Sequence, residues 1–196
     1  MIDFTPMRSG EVNAIEFARQ FTREDLKKYS DESIDFLLDT ISDLDDADVT
    51  FDPIDENAND PYAVEGEEHI GWSIAHLIVH VTASTEEGAA FSSLLARGIP
   101  VEDRLRWETP WRDVTTKAQL VQRLEESRRI RNAYLETWPD NPHLDVYRKV
   151  SENFIKKFGK SNAPVSFLFS LSHEVGHYDQ IKEVKQQALK AKEQHV

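Results

Sequence analysis

The sequence predicts an all-α fold, a four-helix bundle with long connecting loops, on the strength of two observations. Apolar residues recur at helical spacing in four long segments of the chain. Strand signals are nearly absent, and residues 49–51 form the single weak candidate. The 196 residues, of which 39 % are hydrophobic and 30 % charged, contain no internal repeat and no Gly/Ser-rich linker. We therefore expect one globular domain over residues 1–196.

The first helical segment covers residues 9–43 and is expected to break near Thr22. Thr22 followed by Asp25 has the pattern of a helix N-terminus, where a hydroxyl and a carboxylate cap the first turn. Residues 45–65 contain Pro53 and Pro61 and have the composition of a loop. A loop of this length is uncommon in a compact domain, so we expect it to serve or cover a functional site.

Three further helices follow. The second is expected over residues 67–97, with Gly98 as its C-terminal stop, and an irregular stretch covers residues 99–114. Thr115 or Thr116 caps the third helix, which ends before Trp138. The pattern of residues 143–160 is compatible with either a short helix or a loop. Asn162 starts the fourth helix, which continues to about residue 192.

Composition excludes several classes of function. The formal net charge of −13 disfavours binding to nucleic acids and anionic membranes, because an acidic surface repels phosphate groups. The basic cluster at residues 128–131 is interpreted as a solvated helix face. There is no cysteine, so a metal ion would have to be held by His, Asp or Glu. The chain shows neither a signal peptide nor a stretch long enough to span a membrane, which predicts a cytoplasmic location.

Two histidine pairs carry the most specific chemistry. His173 and His177 lie four residues apart on the fourth helix, so both imidazoles project from one face about 6 Å apart along the axis. On the second helix Trp72, His76 and His80 repeat this spacing within an apolar segment. Three imidazoles around a divalent ion leave a coordination position open for activating water or a thiol. Spacing alone does not separate His76 from His80.

Two nearby carboxylates leave alternatives open. Glu87, two turns beyond His80, could add a ligand to the site or be solvated. Glu174 completes the zinc-peptidase pattern H-E-x-x-H, in which the glutamate is the general base. The extended pattern fails, because Gln180 stands in place of a glycine and Glu183 in place of a third histidine. A peptidase is therefore the weakest of the hypotheses.

Residues 70–76 and 173–181 resemble the DinB/YfiT-like family of metal-dependent bundle proteins, and the similarity extends over nearly the whole chain. Residues 106–111 are similar to a loop found in a subset of that family. The resemblance implies a three-histidine site made of His76, His173 and His177, holding a divalent ion such as zinc or nickel. It also implies a homodimer, and it implies no DNA chemistry.

The resemblance supplies the first functional hypothesis. Characterised relatives include transferases and isomerases that use low-molecular-weight thiols such as bacillithiol or mycothiol, whereas others have no known substrate. We expect a metal-dependent transferase whose thiol comes from a cosubstrate, since the chain has no cysteine. Trp72, Trp107 and Trp111 are candidates for lining the cavity, and Arg104 or Arg106 for holding a carboxylate of the cosubstrate. The second hypothesis is a non-catalytic stress protein that binds a metal or small ligand, which a fourth protein ligand would favour.

Overall fold

A computed structural model describes residues 1–60, 63–102 and 109–194 of the chain. The regular secondary structure of the described residues is helical, and these residues contain no strand beyond one isolated antiparallel bridge between Arg148 and Ser161. This confirms the expected all-α fold. The helices, in chain order, are α1 (Thr5–Ser9), α2 (Ala14–Ala18), α3 (Arg23–Thr40), α4 (Asp46–Val49), α5 (Ile74–Ala96), α6 (Lys117–Glu136), α7 (Glu152–Phe158), α8 (Ala163–Gly176) and α9 (Tyr178–Glu193).

The long helices pack around α5. This helix contacts α8 and α6 along its length, and α3 packs against both α6 and α8. The close approach of α5 to α8 depends on Gly88, where an added Cβ would lie 2.0 Å from the Ser170 hydroxyl oxygen. One apolar cluster joins α3, α5 and α9, and a second joins α1, α2 and α8. None of the described helices is long and apolar enough to cross a membrane.

Local capping explains where the helices begin. The break near Thr22 is confirmed, since Thr22 and Asp25 form a reciprocal capping box at the start of α3. The predicted start of the second helix at residue 67 is wrong. Helix α5 begins at Ile74, because the Ser73 side chain accepts a hydrogen bond from the His76 N–H and so caps the helix. Gly71 lies just before it, where an added Cβ would meet the Pro53 carbonyl oxygen at 2.3 Å.

The fourth helix is not continuous, and it divides at His177 into α8 and α9. The His177 N–H bonds the carbonyl of Glu174, three residues back instead of the regular four. From α1, Arg8 donates to both the hydroxyl and the backbone carbonyl of Ser172. A side chain that enters a helix ladder in this way is a recognised cause of a helix irregularity.

The long segment between α3 and α5 is partly ordered by side-chain contacts. The weak strand candidate at residues 49–51 is wrong, because Val49 ends helix α4, which Asp45 caps. Lys192 near the end of α9 pairs with Asp45 at 2.7 Å and with the buried Asp48 at 2.5 Å. The Lys192 hydrogen bond lowers the pKa of the Asp45 carboxyl below its ordinary value. These contacts fix the start of the segment against the C-terminal end of α9.

Candidate metal centre

Helices α5 and α8, with the residue that follows α8, bring three histidines together. His80, His173 and His177 each offer one nitrogen, and these nitrogens all lie within 4.8 Å of one another. The Nε2 atoms of His80 and His173 are 2.9 Å apart. His80 and His177 are half-buried, whereas His173 is exposed, so a small molecule can reach the cluster from solvent.

This cluster contains two of the three ligands that the sequence predicts, His173 and His177, and its third member is His80. His76 lies one turn earlier on α5, where its ring stacks on Trp72 at 4.3 Å and on Trp111 at 4.6 Å between centroids. Glu87 does not belong to the cluster either. Metal binding by His76 stays a prediction, to be tested against His80.

The chemistry of the cluster fits a divalent transition metal. In His177, Nδ1 lies 2.8 Å from the Gln180 Oε1 atom, which can only accept, so Nδ1 carries the proton and Nε2 presents its lone pair. A hydrogen bond of this kind fixes the tautomer and the ring orientation of metal-binding histidines. The Nε2 atoms of His80 and His173 face each other at 2.9 Å, so one cation can bind both nitrogens. Three neutral nitrogen donors suit zinc, nickel and related ions.

Glu174 points away from the cluster and into the core. Its carboxylate pairs with both terminal nitrogens of Arg131, one of them at 3.0 Å, and both side chains are 0 % exposed. It also accepts hydrogen bonds from the hydroxyls of Ser33 and Thr85. The residue that a zinc peptidase needs as a base is therefore occupied elsewhere, and the peptidase hypothesis has no support in the geometry. The interpretation of residues 128–131 as a solvated face is wrong for Arg131.

An aromatic side chain and a small cavity lie beside the cluster, and a second small cavity lies beside His76. The Trp72 ring lies 4.7 Å from the ring of His80 and 6.1 Å from that of His177. A cavity of about 180 Å³ is lined by Trp72, His177 and Gln180, together with loop residues from 55 to 60. A second, of about 240 Å³, is lined by Trp72, His76 and Trp111. The long loop before α5 thus forms a wall beside the cluster.

Some residues predicted to line the site cannot be placed, and two side chains near it were not predicted. Arg104, Arg106 and Trp107 lie outside the described residues. Arg112, which the sequence analysis did not single out, lines the second cavity, stacks over Trp111 at 4.2 Å and pairs with Glu67 at 2.6 Å. The hydrogen bond from His177 to Gln180 was also missed, although a separation of three residues on a helix could have indicated it.

Comparison with known proteins identifies the family of this chain. Residues 31–181, well over half of the chain, match the DinB superfamily model. The chain belongs to the DinB superfamily. The match extends from within α3 to the first turn of α9, so this DinB domain includes His80, His173 and His177. Searches among curated proteins and among solved structures found no match.

Proposed function

We propose that the protein is a metal-dependent transferase that activates a low-molecular-weight thiol at a site formed by His80, His173 and His177. The observation that carries this proposal is the convergence of three imidazole nitrogens within 4.8 Å, with His177 in the wall of a cavity of about 180 Å³. Within the described residues the cluster has three members, and three protein ligands are typical of catalytic rather than structural sites. A divalent ion held there would supply the positive charge that lowers the pKa of a thiol brought to the site.

The surrounding side chains have separate tasks in this proposal. Gln180 orients the His177 ring by accepting from Nδ1. Trp72 gives the cavity beside His177 an apolar wall, which limits water around a reacting group. The thiol comes from a cosubstrate, since the chain contains no cysteine. We further propose zinc or nickel as the ion, a homodimer as the assembly, the cytoplasm as the location, and no nucleic-acid or membrane partner.

Metal content of the purified protein tests the site. Wild type without a histidine tag should contain about one zinc or nickel ion per chain, and His80→Ala and His173→Ala should lose it because two imidazoles hold such an ion weakly. His143→Ala, which removes an exposed histidine outside the cluster, is the matched control. A wild type that takes up no zinc or nickel would overturn the proposal.

His76→Ala separates the remaining possibilities. Retention of the ion in this variant would assign the third ligand to His80, and transfer of a thiol to an electrophilic substrate should then be assayed. Loss of the ion in both His76→Ala and His80→Ala would indicate four imidazole ligands. A site closed by a fourth ligand would favour the second hypothesis, a non-catalytic protein that binds a metal or small ligand.

A further inference from the structure

We infer that a buried hydrogen-bond chain through Tyr178, Ser33 and Glu174 positions His177, and that it thereby sets the affinity and geometry of the metal site. The inference rests on the proposed function, because it concerns the same three-histidine site. It assigns positioning roles to residues that lie behind the cluster and do not belong to it.

His177 is the residue at which the fourth helix divides, so its direction depends on how the two helix ends are held. Glu174 lies on the α8 side of the interruption and Tyr178 on the α9 side. Ser33 of α3 contacts both of them, since its hydroxyl bonds the Glu174 carboxylate and the Tyr178 hydroxyl. One side chain of a neighbouring helix therefore joins the two ends across His177.

The direction of each hydrogen bond follows from the protonation states. A tyrosine hydroxyl carries its proton at neutral pH, so Tyr178 can donate. A carboxylate only accepts, so Ser33 donates its single proton to Glu174 and accepts from Tyr178. Each hydroxyl donates its one proton to the next group, so only one arrangement of the hydrogen bonds satisfies Tyr178, Ser33 and Glu174 together. The hydroxyls of Tyr178 and Ser33 and the carboxylate oxygens of Glu174 all have partners, and a hydrogen-bond chain satisfied in this way is rigid.

Arg131 and Thr85 anchor the chain to the two remaining long helices. Arg131 of α6 holds both carboxylate oxygens of Glu174, and Thr85 of α5 donates to one of them at 3.1 Å. Thr85 lies on the same helix as His80, five residues further along. Residues that hold Glu174 therefore come from α3, α5 and α6, and Glu174 itself lies beside His173. Well-packed apolar residues in place of the buried ion pair would give a core at least as stable. We therefore assign the network a role in positioning rather than in stability.

Titration with Co²⁺ tests the inference, because its visible absorption reports the geometry of its ligands as well as its binding. Tyr178→Phe removes one hydroxyl and keeps the aromatic ring, which stacks on Phe36 at 4.1 Å. We expect this variant to bind Co²⁺ about 10-fold more weakly, at the lower end of the effect of altering supporting groups around a metal site. Its visible spectrum should also differ from that of the wild type. Tyr134→Phe, at a more exposed tyrosine of α6, is the matched control and should match the wild type in both respects.

Ser33→Ala provides a second, independent break in the same chain and should shift the Co²⁺ affinity and spectrum in the same direction. Urea unfolding of the metal-free variants checks that they are folded, and a purely structural role would change that transition without changing the spectrum. Wild-type affinity and an unchanged spectrum in both variants would overturn the inference while leaving the metal site intact. A wild type that does not bind Co²⁺ would instead overturn the proposed site, and the inference with it.

Discussion

The ion pair between Arg131 and Glu174 shows how strongly one residue can depend on another in this core. Both side chains are 0 % exposed, and the Nε atom of Arg131 has no hydrogen-bond partner. Removing one charge leaves the other buried without compensation, which is among the most destabilising changes that a core can undergo. Keeping the pair costs desolvation, but its two parallel contacts and the hydroxyls of Ser33 and Thr85 offset much of it.

We therefore expect Glu174→Gln to lower the free energy of unfolding by about 3–5 kcal/mol, because the charge of Arg131 remains buried. Urea unfolding followed by circular dichroism measures this change. Glu183→Gln, at an exposed position of α9, is the control and should alter stability by less than about 0.5 kcal/mol. A loss below about 1 kcal/mol for Glu174→Gln is typical of solvent-exposed pairs and would contradict the burial of this one.

The proximity of His173 and His177 could be predicted for a reason that is local. The two residues are only four positions apart, at the end of α8 and directly after it, so their proximity needs no knowledge of the rest of the fold. The choice between His76 and His80 is not local, since the two lie one turn apart on the same stripe of α5. Which one meets α8 depends on how far α5 is rotated and shifted against it. Spacing along a single helix carries no such information.

At the scale of helices, the contact between α5 and α8 determines which histidines meet, and Gly88 sets how closely the two backbones approach. An added Cβ at Gly88 would lie 2.0 Å from the Ser170 hydroxyl oxygen and 2.9 Å from the Ser166 carbonyl oxygen. Backbone atoms cannot move aside as a flexible side chain can. A methyl group at this position therefore has to separate α8 from α5.

We predict that Gly88→Ala destabilises the protein by about 1–3 kcal/mol, the usual cost of overpacking, although alanine favours a helix more than glycine does. The double variant Gly88→Ala/Ser170→Gly should recover part of the loss, because the nearer of the two clashes is with the Ser170 side chain. Thermal unfolding of both variants gives the comparison. A stabilised Gly88→Ala would show that helix propensity prevails and that the two helices do not approach this closely.

The helix starts capped by Thr22 and Asn162 were predictable from the local sequence, whereas two boundaries that involve distant residues were not. The Thr22–Asp25 box and the Asn162 cap both lie in the local sequence. The interruption at His177 involves Arg8, which lies 164 residues from Ser172 along the chain. The start of α5 has a local cap, Ser73, but it also involves the close approach of Gly71 to the Pro53 carbonyl. Nothing in the periodicity of either helix records these contacts.

For the molecule as a whole, the net charge of −13 and the histidine cluster affect binding of cations in different ways. An acidic protein gains stability from any divalent cation, because the cation screens repulsion between carboxylates. This general effect does not depend on which ligands are present. A response to added metal therefore supports the proposed site only if it differs between cations and depends on the histidines.

Magnesium separates the two effects, because it prefers oxygen ligands whereas zinc and nickel readily bind imidazole. At a free zinc concentration about 100 times the dissociation constant, linkage predicts a stabilisation of about 2.7 kcal/mol, which thermal unfolding detects. Magnesium at the same concentration should have only the smaller screening effect, and so should zinc with His80→Ala. His143→Ala should retain the full response to zinc, since that exposed side chain lies outside the cluster. Equal responses to zinc and magnesium would mean that the acidic surface, and not the three imidazoles, binds the cation.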